Sequence, residues 1–167
     1  QVYAEESSDG FLLYVAIADV SEYVLQDSSL DKEALSRATS VYFEKKVIPM
    51  LPELISNKLC SLRPNEDKLV LTCEIYLNKE GDIKSFEFFK SVICSKNRLT
   101  YDEVEKFYKK GNTRFPDDVV INLSALKKIH GLRKKIREER KAIDFYLPEY
   151  RPIGKDNKII KFKSIDH

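Results

Sequence analysis

The fold is decided by residues 68–94, KLVLTCEIYLNKEGDIKSFEFFKSVIC. Apolar residues at alternate positions predict a strand with one buried face; they are Leu69, Leu71, Cys73, Ile75 and Leu77. The turn sequence Lys-Glu-Gly-Asp follows at 79–82, and residues 83–94 return as a partner strand rich in phenylalanine. We therefore expect a long antiparallel β-hairpin.

Upstream of this hairpin, residues 2–18 predict a second one. Val2 to Glu5 and Phe11 to Ala18 are rich in β-forming residues, and a polar turn separates them at 7–10. The second strand, FLLYVAIA, is apolar on both faces and should be central in a sheet. Asp19 or Ser21 is placed to cap a short turn after it.

Residues 31–62, DKEALSRATSVYFEKKVIPMLPELISNKLCSL, predict a shaped connection and not a plain helix. Pro49 and Pro52 lack backbone donors and favour extended conformations before them, so Val47 to Leu51 is excluded from a helix interior. A helical piece should follow from Leu54 to Leu62, before Pro64. Tyr42 and Phe43 lie on the extended crossing.

A short helix is predicted before that crossing. Ser28 and Asp31 form a weak capping box for a helix that runs to about Thr39. Three residues have the spacing to pack closely on a sheet, namely Leu30, Ala34 and Ala38.

Two more helices are predicted after the second hairpin. Thr100 and Glu103 form a capping box, so a helix should begin at Tyr101 and run to about Lys110. Pro116 with two following aspartates is typical of a helix first turn. The apolar face of that last helix is Ala125, Ile129, Leu132 and Ile136. A final edge strand is expected at 157–164.

These elements predict an α+β fold, in which a mostly antiparallel twisted sheet is flanked by helices. The chain has 167 residues, is 43% hydrophobic and has a net charge of +2, which fits one compact domain over residues 1–167 or a piece of a larger one. Positions 127–141 carry eight Lys and Arg residues against two Glu. This basic stripe is either a solvated helix face or a phosphate contact.

Composition also limits the chemistry. Three cysteines without a CxxC spacing indicate neither a disulfide framework nor a zinc site, and they favour a reducing compartment, so we expect a cytoplasmic protein. No apolar run approaches the length of a membrane span, and we predict no membrane or protein partner. Two histidines argue against a histidine-dependent triad. There is no P-loop, dinucleotide fingerprint or nucleophile elbow.

Aromatic residues near basic ones are better represented. Tyr42 and Phe43 precede two lysines, Tyr101 follows Arg98, and Phe145 follows a basic segment. Single-stranded nucleic acid is commonly held by bases stacked on such rings while cations contact the phosphates. The pattern alone leaves core packing as the alternative, because the chain has nine Tyr and nine Phe.

Six stretches, in order, resemble the catalytic RNB domain of the ribonuclease II and ribonuclease R family, with the bacterial ribonuclease R branch most similar. They are LLYVAIADVSEYV, SLDKEALSRATSVYF, KVIPMLPELISNKLCSL, NEDKLVLTCEI, FFKSVICSKNRLTYDEV and KAIDFYLPE. The resemblance covers almost the whole chain. It implies a processive hydrolytic exoribonuclease that degrades single-stranded RNA from its 3′ end with Mg²⁺.

The resemblance also implies three RNA-binding residues. The stacking tyrosine of the TSVY motif falls on Tyr42, and the stacking phenylalanine of the KAIDF stretch falls on Phe145. A tyrosine near the terminal sugar, which helps to distinguish RNA from DNA, falls on Tyr101.

The family's aspartate run for Mg²⁺ would precede Gln1, and its catalytic arginine and flanking RNA-binding domains are not in the sequence. We therefore expect a partial RNB domain, truncated at both ends, with no catalytic or metal-binding residue of its own and little or no activity alone. Two classes stay open: a piece of an active exoribonuclease, or a non-catalytic RNA-binding or interaction module with the same fold. The residues encoded before Gln1 would distinguish them.

Overall fold

The structure, a computed structural model, describes residues 1–43, 46–111, 115–143, 149–155 and 158–165. Within these ranges the strands are β1 (Val2–Glu6), β2 (Gly10–Ala18), β3 (Val41–Tyr42), β4 (Val47–Ile48), β5 (Asp67–Asn78), β6 (Ile83–Cys94), β7 (Glu149–Lys155) and β8 (Lys158–Ile165). The α-helices are α1 (Ser29–Arg37), α2 (Tyr101–Lys110) and α3 (Asp117–Glu139), with a 3-10 turn at Val20–Glu22 and a π-helix at Leu54–Leu59.

Four strands form one antiparallel sheet in the order β1-β2-β5-β6. Both predicted hairpins are confirmed, and the apolar strand β2 lies inside the sheet as expected. Strands β3 and β4 form a separate two-stranded ribbon, as do β7 and β8. The expected final strand is therefore confirmed as β8, and the α+β prediction with a mostly antiparallel sheet is correct.

The hydrophobic core lies where α3 covers one end of this sheet. It contains Ala4, Phe11 and Leu77 from the sheet, packed with Ala125 and Ile129 from the helix. Leu132 packs against the same cluster. The predicted apolar face of α3 is thus confirmed, and the helix begins directly after Pro116 as expected.

The predicted burial along β5 is only half correct. Leu77 is 2% exposed, whereas Leu71 on the same face of the strand is 44% exposed. The difference arises because α3 packs only on the part of this face near the β5–β6 turn. Alternation in a sequence predicts which face of the sheet a side chain lies on, but it does not predict which other element packs on that face. The large apolar side chains that remain exposed on the sheet are Val2, Tyr3, Ile17, Leu69, Leu71, Ile83, Phe86, Phe88, Phe89 and Val92.

The helix caps follow local chemistry. In α1, the Ser28 hydroxyl accepts from the Asp31 amide, but the Asp31 carboxylate accepts from the Asp27 amide instead of returning to Ser28. The helix ends at Arg37, earlier than predicted, because Ala38 takes a positive φ of 59°. Ala38 is consequently exposed, and its predicted packing on the sheet is wrong. Ala34 is buried as expected.

The capping box of α2 is complete. The Thr100 hydroxyl accepts from the Glu103 amide, and the Glu103 carboxylate accepts from the Thr100 amide at 2.8 Å. The Thr100 hydroxyl also donates to this carboxylate, and it is the main cause of the lowered pKa of Glu103. The predicted start of α2 at Tyr101 is confirmed, which fixes where Tyr101 sits.

The described helices include none that is both long and apolar enough to cross a membrane.

Candidate nucleic-acid interface

Tyr42 lies at the end of β3, in the separate two-stranded ribbon that β3 forms with β4. Its side chain is 77% exposed, and its partner across the ribbon is Val47. The prolines explain the local structure, because Pro49 follows β4 and keeps the segment extended. The predicted extended crossing is therefore confirmed, with Tyr42 presented to solvent.

Two side chains fix the base of this ribbon. The amide of Met50, just after β4, donates to the hydroxyl of Ser40, just before β3, at 2.9 Å. This hydrogen bond joins the two ends of the ribbon. The guanidinium of Arg37, at the end of α1, donates to the carbonyl of Pro49 at 3.3 Å. This second contact ties the ribbon to the end of α1.

The helical piece after the ribbon is shorter than predicted and of a different kind. The amide of Cys60 donates to the carbonyl of Ile55 at 2.8 Å, a five-residue spacing that makes Leu54–Leu59 a π-helix. It ends at Leu59, with Cys60 as the C-cap residue, and not at Leu62. Short π-helical segments are often found at functional sites.

Tyr101 is the first residue of α2, and its side chain is 93% exposed. The loop before it is anchored at Ser95, which is buried and whose carbonyl accepts from the Asn65 amide at 2.8 Å. Ser95 also forms a bridge with Pro64. Tyr101 is therefore held between an anchored loop and a capped helix, with its ring in solvent.

Phe145, the third predicted RNA-binding residue, lies outside the described residues. Tyr42 and Tyr101 are absent from the aromatic ring pairs of the described part of the chain. The convergence of the three rings on one RNA end thus stays a prediction. A cavity of about 470 Å³ between α2 and α3 is not lined by Tyr42 or Tyr101. Its lining residues are Phe107, Tyr108, Gly111, Ser124, Lys127 and Lys128.

A buried carboxylate at the end of β2 was not identified from the sequence as a site. Asp19 is 7% exposed; it accepts a hydrogen bond from the Ser21 hydroxyl, and its Oδ2 lies 3.7 Å from the Lys90 ammonium. The bond from Ser21, more than the charge of Lys90, lowers the pKa of Asp19. Asp19 occupies the N-cap position of the following 3-10 turn, as the capping interpretation expects, but its side chain makes no capping hydrogen bond.

This cluster does not fit a divalent cation. The Lys90 ammonium pairs with both Asp19 and Glu22. Its positive charge would repel a divalent cation bound to the same carboxylates. Elsewhere in the described ranges, no group of three or more His, Cys, Asp or Glu side chains is placed to hold a metal ion. The residues that the structure describes therefore do not form the Mg²⁺ site that the resemblance implies.

Basic residues of α3 have structural partners. The Lys128 ammonium lies 2.5 Å from a carboxylate oxygen of Glu6, and Arg133 donates to the carbonyl of Gly81 at 3.1 Å. Both contacts attach α3 to the sheet. They favour the structural interpretation of the basic stripe at these two positions.

Comparison with known proteins agrees with this architecture. The RNB domain family model matches residues 1–167. Ribonuclease R of Acidithiobacillus ferrooxidans is 45% identical over 146 residues, which are 86% of this chain and 33% of that protein.

Among solved structures, Mycoplasma genitalium RNase R in complex with ribose-methylated single-stranded RNA matches with a TM-score of 0.93 and 36% identity, over 99% of this chain and 26% of that one. The same enzyme in complex with double-stranded RNA matches with a TM-score of 0.94 and 36% identity, over 99% of this chain and 30% of that one. The chain thus spans a third or less of the length of these relatives. It belongs to the RNB domain family.

Proposed function

We propose that this chain is the part of a processive, hydrolytic 3′→5′ exoribonuclease that holds the 3′ end of single-stranded RNA. The observation that carries this proposal is the presentation of two tyrosine rings, Tyr42 and Tyr101, almost fully exposed on anchored local structure. An aromatic ring that stays exposed to water contributes little to the stability of the fold. Two such rings at the positions that the family resemblance implies therefore support a role in binding bases.

Each ring has a separate task. Tyr42 stacks on a base near the 3′ end, and Phe145 supplies the second stacking surface. Tyr101 lies beside the terminal sugar, where a hydroxyl group that contacts the 2′-OH distinguishes RNA from DNA. Hydrolysis in this family implies Mg²⁺, and the described residues of this chain include no group of three or more His, Cys, Asp or Glu side chains placed to hold it. The free thiols of Cys60, Cys73 and Cys94 support a reducing, cytoplasmic location.

The Tyr42→Ala variant of the intact protein is expected to bind single-stranded RNA about 5- to 150-fold more weakly, because one base loses about 1 to 3 kcal/mol of stacking. The length of the final product should also change. The measurement is the dissociation constant for an RNA oligomer without divalent metal, followed by product analysis with Mg²⁺.

Tyr150→Ala is the matched control, because Tyr150 is also an exposed tyrosine but lies on the β7–β8 ribbon. Its affinity should equal that of the wild type. If Tyr42→Ala keeps both the affinity and the end product of the wild type, Tyr42 is not a stacking residue.

The isolated chain is expected not to release mononucleotides from labelled single-stranded RNA in Mg²⁺. Four carboxylates of the described residues have structural partners: Glu103 caps α2, Glu6 pairs with Lys128, and Asp19 and Glu22 both pair with Lys90. The intact protein is the positive control. Steady mononucleotide release by the isolated chain would mean that its own residues form a cleavage site.

A further inference from the structure

The β3–β4 ribbon has a second face, turned away from Tyr42. In an antiparallel pair, side chains directly opposite each other lie on the same face, and successive residues alternate between faces. Tyr42 is opposite Val47, and Val41 is opposite Ile48. The Phe43 amide donates to the Lys46 carbonyl at 2.8 Å, so these two residues form the next opposed pair.

This second face combines an aromatic ring with a positive charge. Phe43 is 58% exposed, and Lys46 beside it is also exposed. Val41 and Ile48 extend the apolar surface towards the base of the ribbon, and both are exposed as well. The face of Tyr42, in contrast, has the uncharged Val47 opposite the ring.

An aromatic residue directly opposite a lysine in an antiparallel pair matches the chemistry of one nucleotide. A base stacks on an aromatic face, and the adjoining phosphate pairs with a cation within reach of it. A neighbouring polypeptide that packed on Phe43 would also cover Lys46, and burying an unpaired ammonium is costly. The charge beside the ring therefore favours nucleic acid over an apolar protein surface.

We propose that Phe43 and Lys46 form an additional nucleotide-binding position on the ribbon, separate from that of Tyr42. Phe43 stacks on the base, and Lys46 binds the phosphate. This inference rests on the proposed function, since it takes single-stranded RNA as the ligand. It adds that the ribbon contacts two different nucleotides, one on each face.

The test is an abasic scan of a single-stranded RNA oligomer with the intact protein, without divalent metal. In the wild type, removing one base at a time should weaken binding at one position for each stacking ring. In Phe43→Ala, binding of the complete oligomer should be about 5- to 150-fold weaker. The loss of affinity at one abasic position should then disappear, while the loss of affinity at the position that depends on Tyr42 should remain.

Phe43→Leu separates stacking from packing, because leucine keeps an apolar side chain of comparable length without a ring. We expect it to bind RNA as weakly as Phe43→Ala. Affinity restored by leucine, or an abasic profile unchanged in Phe43→Ala, would overturn the proposal. A scan in which the position dependent on Tyr42 is also missing would instead overturn the proposed function.

Lys46→Gln tests the phosphate contact. The slope of log affinity against log salt should fall by about 0.7, the value for one phosphate contact on a single strand. Lys79→Gln, at an exposed lysine in the β5–β6 turn, is the matched control and should leave the slope unchanged. An equal slope for Lys46→Gln and wild type would contradict the role of Lys46.

Discussion

Gly10→Ala is expected to destabilise the fold by about 4 kcal/mol or more, a size that is exceptional for one methyl group. Gly10 begins β2 with a φ of 153°, and a Cβ atom there would lie 1.9 Å from the carbonyl oxygen of Leu77. Because that oxygen belongs to the backbone of β5, no side-chain rotation can relieve the clash. The strands would have to separate, as urea denaturation followed by circular dichroism would show.

Gly131→Ala is the matched control, since it makes the same chemical change in the interior of α3. Apart from its chain neighbours and the adjacent backbone of α3 itself, no atom of the described residues lies within 4 Å of the position where its Cβ would be. Alanine is a better helix former than glycine, so this variant should be more stable by about 0.5 to 1 kcal/mol. Equal changes in stability for the two substitutions would show that the backbones of β2 and β5 do not approach each other closely at Gly10.

Leu77→Ala is expected to reduce the free energy of unfolding by about 2 to 5 kcal/mol, the usual range for a buried leucine. Leu77 is 2% exposed and packs between the sheet and α3. Truncation removes its apolar contacts and leaves a cavity beside Phe11 and Ile129. The same denaturation experiment measures the loss.

Leu71→Ala serves as its control on the same face of the same strand. Leu71 is 44% exposed, so its truncation leaves no enclosed cavity and should cost much less than the truncation of Leu77. A similar loss at both positions would mean that cover of this face extends beyond α3. Burial along β5 would then follow the simple alternation of the sequence.

Local features were predictable because their causes lie within a few residues. The hairpin at 68–94 has alternating strands and a turn, and the capping box of α2 needs only Thr100 and Glu103. The extended ribbon follows from its prolines in the same way. These elements place Tyr42 and Tyr101, so the local structure at two of the three candidate residues was accessible from sequence.

Features that depend on distant partners were not predictable. The Asp19 carboxylate lies near Lys90 because β2 and β6 flank β5, which the two local sequences do not report. The exposure of Leu71 depends on how far α3 extends across the sheet. The positive φ of Ala38 ends α1 early, and alanine carries no signal for that conformation.

The face of Phe43 was missed for a related reason. Adjacent aromatics in a sequence suggest one cluster, but in a ribbon they point in opposite directions. Only the pairing of Phe43 with Lys46 shows which charge accompanies which ring. The role of Phe145 stays a prediction from the family resemblance.

The proposed function requires that exposed tyrosine rings of this chain bind the 3′ end of single-stranded RNA. The most direct measurement uses RNA with the fluorescent base 2-aminopurine at its 3′-terminal or its 5′-terminal nucleotide, bound to the intact protein without divalent metal. We predict strong quenching by stacking at the 3′ terminus, little at the 5′ terminus, and less quenching in Tyr42→Ala. A 3′-terminal probe that stays as bright as in free RNA would contradict the account.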